Sequence, residues 1–294
     1  MPRTPGGAFT LAEEEPGPRA RRTGRFIVLG LVLLLAVGGW VGARRLMDSF
    51  STMQCEVRAS GQTFTWAPDQ ASNSAVITAI ALRRGMPARA ATIALATAMQ
   101  ESKVRNITYG DRDSVGLFQQ RPSQGWGTVE QILNPEHASN AFYDALVKVP
   151  DWQTADIAHA AQEVQRSADG SAYAQHESKA RVTASVLAGH SPAGIGCRLD
   201  DPARPGTAST VADLVTADHG LQATVDGDTV AIAAATPEQA WALGAWAVAR
   251  AADTGAVRVT VADREWVRSR SSSALEWQGT DAPSTPTQVV IHLR

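Results

Sequence analysis

The spacing of hydrophobic and polar positions divides the chain into regions of different character. Residues 26–43 are uncharged and almost entirely apolar, and residues 55–199 show mostly helical periodicity. Residues 200–209, rich in Pro and Asp, have the composition of a linker, whereas helical and strand-like runs alternate over residues 210–294. We therefore predict a transmembrane helix, a mainly α domain and a small C-terminal α+β domain, in that order.

The apolar run is long enough to cross a membrane. Its 18 residues rise about 27 Å as a helix, close to the thickness of the hydrocarbon core. Residues 1–25, predicted as a disordered cytoplasmic tail, carry more arginines than the predicted stalk, residues 44–54. This excess places the N-terminus in the cytoplasm and the rest outside the cell, in a single-pass membrane protein. A signal peptide cleaved after residues 41–43 is the alternative, and it exports the remainder equally.

Elements within the two domains follow from periodicity and from helix-start and turn signals. In the first domain we expect helices at Pro68–Arg84, 87–102, Ala138–Lys148, Asp156–Ser167 and Ser178–Ala188, with an extended segment at Val115–Gln119. In the second we expect strands at Leu221–Val225, Thr229–Ala234, Ala256–Val261, Arg264–Val267 and Thr287–Leu293, and a helix at Pro237–Asp253. Trp266 and Trp277 in that domain are expected in its core rather than on a glycan.

Two cysteines, Cys55 and Cys197, lie at the two ends of the predicted helical domain. Two thiols are too few for a structural zinc site. In an oxidising compartment we expect them to form a disulfide that closes a long loop. The alternative is two unrelated buried thiols.

Composition and motifs narrow the function further. The formal net charge of −2 gives no concentrated basic face, so no nucleic-acid partner is expected. The six histidines are scattered without metal-ligand spacing, and we expect no metal and no cofactor. No glycine-rich phosphate loop and no Gly-x-Ser-x-Gly elbow is present.

Glu101 stands near the end of a helix that is apolar on nearly every side, so the helix is expected to be buried. Burial and the negative end of the helix dipole both disfavour a charged carboxylate. We therefore expect a carboxylic acid that keeps its proton near neutral pH, as protonation of a glycosidic oxygen requires. The alternative is an ordinary solvated glutamate.

The segment that follows Glu101 carries groups suited to a sugar. The neutral hydrogen-bonding side chains are Ser102, Asn106, Tyr109, Ser114, Gln119 and Gln120, and the aromatic rings are Tyr109, Phe118 and Trp126. Gly110 and Gly116 allow the backbone to approach a ligand closely. For Phe118 and Trp126 the alternative is a place in the core.

Glu101-Ser102 followed by Gly116-Leu117-Phe118-Gln119 resembles the Glu-Ser and Gly-Leu-Met-Gln signature of soluble lytic transglycosylases and goose-type lysozymes. The resemblance covers roughly residues 76–188 and implies a lysozyme-like domain at 55–199. It implies that Glu101 is the catalytic acid/base and that Ser102 supports it. It also implies that this mainly α domain contains a short β-hairpin, residues 114–119, which floors the cleft. The substrate-binding residues it suggests, with their neighbours, are Ser102, Tyr109, Ser114, Gly116, Phe118, Gln119 and Gln120.

The chain departs from this signature at the third motif, Ala-Tyr-Asn-Ala-Gly, whose tyrosine orients the glutamate. The corresponding helix reads Ala-Ala-Gln-Glu-Val-Gln-Arg-Ser over residues 160–167, and no tyrosine follows before Tyr173. Gln162, Gln165 and Tyr173 are the candidates to replace it.

The number of carboxylates decides the reaction. A glycoside hydrolase normally uses two, and Asp113 is the candidate for the second, although a polar turn is the alternative for it. With Glu101 alone, the resemblance implies attack by the 6-hydroxyl of muramic acid and a 1,6-anhydro product. We thus predict cleavage of peptidoglycan glycan strands by a transglycosylase or muramidase. The alternatives are a peptidoglycan-binding protein that does not cut, or a structural component of an envelope assembly.

Overall fold

Helices alternate with two sheets along residues 52–166 and 171–293, the part of the chain that the computed structural model describes. The first half contains β1 Gln54–Ala59, β2 Gln62–Trp66, α1 Pro68–Arg83, α2 Ala88–Ser102, α3 Val129–Ile132, α4 Pro135–Leu146, α5 Ile157–Gln165, α6 Ser171–Ala174, α7 Glu177–Leu187 and β3 Ile195–Arg198. The second contains α8 Ala208–His219, β4 Ala223–Asp226, β5 Thr229–Ala233, α9 Pro237–Ala249, α10 Ala251–Thr254, β6 Ala256–Val261, β7 Arg264–Val267, β8 Gln278–Gly279 and β9 Gln288–Leu293.

The predicted tail, the predicted transmembrane helix and most of the predicted stalk lie outside the described residues. Among the residues that are described, no helix is both long and apolar enough to span a bilayer.

A three-stranded antiparallel sheet, in the order β2-β1-β3, joins the two ends of the first half. Ser60 and Gly61, both at positive φ, form the two-residue turn between β1 and β2. Cys55 lies opposite Cys197 in the register of β1 and β3, and the two form a buried disulfide. The predicted disulfide is confirmed, whereas the sheet that surrounds it was not predicted.

Helix α2 is the centre of the first half. All residues from Ala90 to Met99 are buried, and the helix packs against α1, α4, α5, α6 and α7. Its five alanines in this stretch have small side chains, which lets the neighbouring helices approach closely. The predicted buried helix is confirmed, so the residues at its C-terminal end emerge from a core rather than from an open surface.

A six-stranded antiparallel sheet, in the order β4-β5-β9-β6-β7-β8, forms the second half together with α8 and α9. Along β9, alternate residues Val289, Ile291 and Leu293 are buried while their neighbours are partly exposed, so one face of the sheet lies on the helices. Trp266 and Trp277 are buried and donate their indole N–H groups to backbone carbonyls, which confirms their expected core position.

The two halves pack together through α9, and residues 52–294 belong to one compact unit. The helix contacts α1, α7 and β3 on one side and strands β6 and β9 on the other, which explains why Ala242 to Ala249 are all buried. The predicted linker also packs closely, because a Cβ on Gly206 would lie 1.9 Å from the Thr254 carbonyl oxygen. Helix α8 begins at Ala208, inside the range predicted as linker.

Candidate functional site

Glu101 is the penultimate residue of α2, and its side chain is partly exposed where the buried helix ends. The helix stops because Lys103 and Val104 both adopt left-handed backbone conformations. The Val104 N–H donates to the Ala98 carbonyl at 2.9 Å, and the Val104 side chain is fully buried. This closure satisfies a carbonyl of the last turn and anchors the chain directly after Glu101.

Ser102 attaches the end of α2 to the Gly-Leu-Phe-Gln segment. Its buried hydroxyl lies 2.7 Å from the Leu117 carbonyl oxygen, to which it donates, and it also accepts the Arg105 N–H. This contact brings residues 116–119 beside Glu101, as the resemblance implies. Ser102 therefore supports the site from below and is too buried to bind a substrate directly.

Tyr173, on the short helix α6, contacts Glu101. Its phenolic O–H donates to Glu101 Oε1 at 2.8 Å, and its ring is buried. Of the three candidates to replace the missing motif tyrosine, Tyr173 has a hydrogen bond to the glutamate. Gln165 instead donates to the Phe118 carbonyl at 2.8 Å, which joins α5 to the Gly-Leu-Phe-Gln segment from the other side.

The predicted hairpin is a tight turn closed by one pair of backbone bonds between Val115 and Gln120. Gln119, at positive φ, lies across Gly110, and its side-chain amide donates to the Tyr109 and Gly116 carbonyls. A Cβ on Gly110 would come within 1.8 Å of the Gln119 side-chain oxygen. Glycine at position 110 thus allows the glutamine to pack over the loop.

Most of the predicted substrate-binding residues in this turn are buried in the protein. Phe118 is fully buried and stacks on Phe142 with ring centroids 4.6 Å apart, so it belongs to the core and offers no face to a sugar. Gln120 is also buried, and its amide donates to the Ala138 carbonyl. Ser114 and Gly116 are buried beside them. Tyr109, which is 72% exposed, and the partly exposed Gln119 remain able to contact a ligand.

Asp113 fastens the loop after the turn. One carboxylate oxygen accepts from Arg121 Nε at 2.8 Å and the other from the Ser123 N–H at 2.8 Å. The Arg121 guanidinium, with help from Ser123, holds the pKa of Asp113 well below its usual range. Both oxygens are engaged within the protein, so the turn alternative describes Asp113 better than the second-carboxylate alternative.

Two contacts beside Glu101 had no signal in the sequence. The Gln100 side-chain oxygen lies 3.0 Å from His176 Nε2 and 3.4 Å from the Gln175 amide nitrogen. Burial, followed by the charge of Lys179, lowers the pKa of His176, which favours a neutral ring at this contact. These residues are too far apart along the chain for any local pattern to pair them.

Comparison with known proteins gives no family for the chain: no model of a known family matches it, and no curated protein is significantly similar to it. Within residues 52–166 and 171–293, no group of three or more His, Cys, Asp or Glu side chains is arranged to hold a metal ion. The site is therefore interpreted from its own side chains.

Proposed function

We propose that this chain cleaves the glycan strands of peptidoglycan, with Glu101 as the acid/base group of a lysozyme-like domain. The observation that carries the proposal is the 2.8 Å hydrogen bond from the Tyr173 hydroxyl to Glu101 at the end of a buried helix. A neutral hydroxyl orients the carboxyl group without a fixed cation beside it. Glu101 is then able to release and recover a proton during a reaction.

One carboxylate suffices for the mechanism that we favour. Glu101 donates its proton to the glycosidic oxygen between N-acetylmuramic acid and N-acetylglucosamine, and the C–O bond breaks. The resulting carboxylate then takes the proton of the muramic-acid 6-hydroxyl, whose oxygen forms a new bond to C1. The glycan is left with a 1,6-anhydro end, and Glu101 is protonated again.

The surroundings of Glu101 favour this lyase reaction over hydrolysis. A hydrolase normally needs a second carboxylate across the bond. Both oxygens of Asp113 are bonded to Arg121 and Ser123, and the Asp111 side chain is 91% exposed. Neither environment is that of a carboxylate directed at a bound sugar.

The remaining exposed groups suit a glycan. Tyr109 offers a ring on which a sugar can stack, and Gln119 offers amide hydrogen bonds beside it. The buried Cys55–Cys197 disulfide supports a place outside the cytoplasm, as the predicted export of this part of the chain requires. A membrane anchor through residues 26–43 remains part of the proposal.

Digestion of purified peptidoglycan sacculi by the purified chain tests the proposal. We expect wild-type protein to release soluble fragments and Glu101→Gln to lower the rate by about 10²- to 10⁴-fold, because amide replaces the acid. Glu130→Gln, at an exposed residue of α3, is the matched control and should keep the wild-type rate.

The other outcomes separate the alternatives. Unchanged release by Glu101→Gln would remove this residue from the mechanism. Binding to sacculi without release of fragments by either protein would support a peptidoglycan-binding or structural role in the envelope.

A further inference from the structure

A groove of about 480 Å³ lies between the loop after the Gly-Leu-Phe-Gln turn, helix α4 with its continuation to residue 150, and the end of α5. Its apolar lining includes the buried Val149 and Val164 and the partly exposed Trp126. Charged side chains line it as well: Lys148, Glu163 and Arg166 are all exposed. Trp126 was offered from the sequence as a ring for a sugar, and the other residues have no role in the proposed cleavage.

Hydrogen bonds and ring stacking fix two walls of the groove, the loop and helix α4. Asp113 holds the loop through Arg121 and Ser123, and His137 Nε2 lies 3.3 Å from the Trp126 carbonyl oxygen. Helix α4 is held by the stacking of its Phe142 on Phe118. These contacts hold the shape of the groove.

Hydrogen bonds to one turn of the chain connect the groove to the proposed acid. The Leu117 carbonyl accepts from Ser102, next to Glu101, and the following carbonyl, of Phe118, accepts from Gln165. Gln165 stands between Val164 and Arg166, which line the groove. Consecutive carbonyls of one turn thus join the helix that carries the acid to the helix that lines the groove.

The charges of the lining favour an anionic ligand. Asp144, also in the lining, is already paired with Arg84 at 2.6 Å. Lys148, Arg166 and Glu163 then leave one net positive charge, arranged as two cations and one anion. A neutral N-acetyl sugar would gain little from these charges, whereas a short peptide with several carboxylates and one amine complements them.

We propose that this groove binds the stem peptide that peptidoglycan carries on its muramic acid, with Lys148 and Arg166 facing its carboxylates. The choice of ligand rests on the proposed function, because the peptide is attached to the sugar whose glycosidic bond Glu101 would cleave. Glu163 faces the amine of a diamino acid in the peptide, and Trp126 packs on its apolar part.

Binding of three small ligands to the full chain by calorimetry tests the assignment. The ligands are the N-acetylglucosaminyl-N-acetylmuramic acid disaccharide with a tetrapeptide containing a diamino acid, the same disaccharide without peptide, and the free tetrapeptide. None contains the scissile bond, so binding is measured without turnover. We expect the peptide-bearing disaccharide to bind more tightly than the bare disaccharide, and the free tetrapeptide to bind measurably.

A double variant in the groove, an amidated ligand and a control variant outside the groove sharpen the test. Lys148→Gln together with Arg166→Gln should weaken binding of the peptide-bearing disaccharide about three- to tenfold, as two exposed charge interactions would. An amidated peptide, which lacks the carboxylates, should bind more weakly to wild type and be insensitive to this change. Arg264→Gln, the loss of one positive charge at an exposed position on β7, should have no effect.

Equal binding of the disaccharide with and without peptide would overturn the assignment. An unchanged affinity of the Lys148 and Arg166 double variant for the peptide-bearing disaccharide would also overturn it. These outcomes are independent of the cleavage test. If Glu101→Gln digests sacculi normally while the peptide contrast holds, the proposed reaction fails and the groove assignment stands. If Glu101→Gln is inactive and the peptide contrast is absent, the groove assignment fails alone.

Discussion

Glu101 and Asp218 occupy the same place in two different helices and have opposite surroundings. Each is the penultimate residue of its helix, α2 or α8. Glu101 is partly exposed and accepts from the neutral Tyr173 hydroxyl. Asp218 is 3% exposed and is bound by Arg250 Nη1 at 2.5 Å and by the Trp246 indole N–H at 2.7 Å.

The position in the helix is the same for both carboxylates, so the difference between them comes from the side chains that bind them. Burial raises the pKa of Asp218, and the Arg250 guanidinium opposes that rise. Loss of either partner would leave an unpaired charge in the core. Among residues 52–166 and 171–293, no Lys, Arg or His side chain forms an ion pair with Glu101, so gain or loss of its proton leaves no buried cation behind. Asp218 therefore stabilises the fold, whereas the surroundings of Glu101 fit the acid/base role that we propose for it.

The largest effect is expected at the structural carboxylate. Arg250→Met should lower the free energy of unfolding by about 3–5 kcal/mol, because it leaves Asp218 buried without its counter-ion. Urea unfolding measures the change. Arg264→Met, at an exposed position, should change it by less than about 0.5 kcal/mol. A similarly small loss for Arg250→Met would contradict the contrast.

The neighbour of Asp218 should make the protein acid-sensitive. Burial, followed by the charges of Arg250 and Arg83, lowers the pKa of His219 to about 3. Below the ordinary pKa of about 6.5, the unfolded chain takes up a proton that the folded chain refuses, so stability falls as the pH falls from about 6.5 towards 3. His219→Gln should lack this contribution, about 2 kcal/mol at pH 5. Parallel urea titrations of both proteins at pH 7 and pH 5 check it.

Removal of the Tyr173 hydroxyl, which binds Glu101, should lower the rate of digestion more than the free energy of unfolding. Tyr173→Phe keeps the buried ring and deletes the hydroxyl, so we expect about tenfold slower digestion of sacculi, the value of one hydrogen bond of about 1.4 kcal/mol. The unfolding free energy should fall by about 1 kcal/mol or less. An unchanged rate would mean that the hydroxyl does not orient the acid.

Asp113 should give the smallest effect on activity. Asp113→Asn is expected to retain digestion within about twofold, whereas loss of a catalytic carboxylate costs about 10²-fold or more. Since the pKa of Asp113 is held below its usual range, its stabilising contribution is present above about pH 4 and disappears as the pH falls further. Wild type and variant should therefore differ in stability at pH 7 and converge in strong acid. A large loss of activity would restore the two-carboxylate reaction.

The local pattern of hydrophobic and polar residues was sufficient to predict several helices and strands. Helix α2 followed from its continuous apolar surface, and strands β6 and β7 were predicted at their observed bounds. The β1–β2 hairpin was missed although its signal is present. Alternating apolar residues Cys55 and Val57, then Phe64 and Trp66, flank a Ser-Gly turn, but the surrounding helical periodicity hid them.

The sequence placed Glu101 at the end of a buried helix and offered Ser102 and Tyr173 as candidates to support it, but it could not give their contacts. Glu101 was recognisable from the helix that ends there. Phe118 was offered as a substrate-binding residue, with the core as the alternative, and the turn closed by Val115 and Gln120 directs its ring onto Phe142 in the core. Contacts such as Tyr173 with Glu101, 72 residues apart, arise from packing of a four-residue helix that has no periodicity of its own.

The end groups of the digestion products test the central claim most directly, namely that one carboxylate performs the reaction. Mass spectrometry of the fragments released from sacculi by wild-type protein should find 1,6-anhydro-muramic ends, which form when the 6-hydroxyl attacks and Glu101 alone transfers the protons. Reducing ends in their place would show that water is the acceptor, and would contradict the single-carboxylate account.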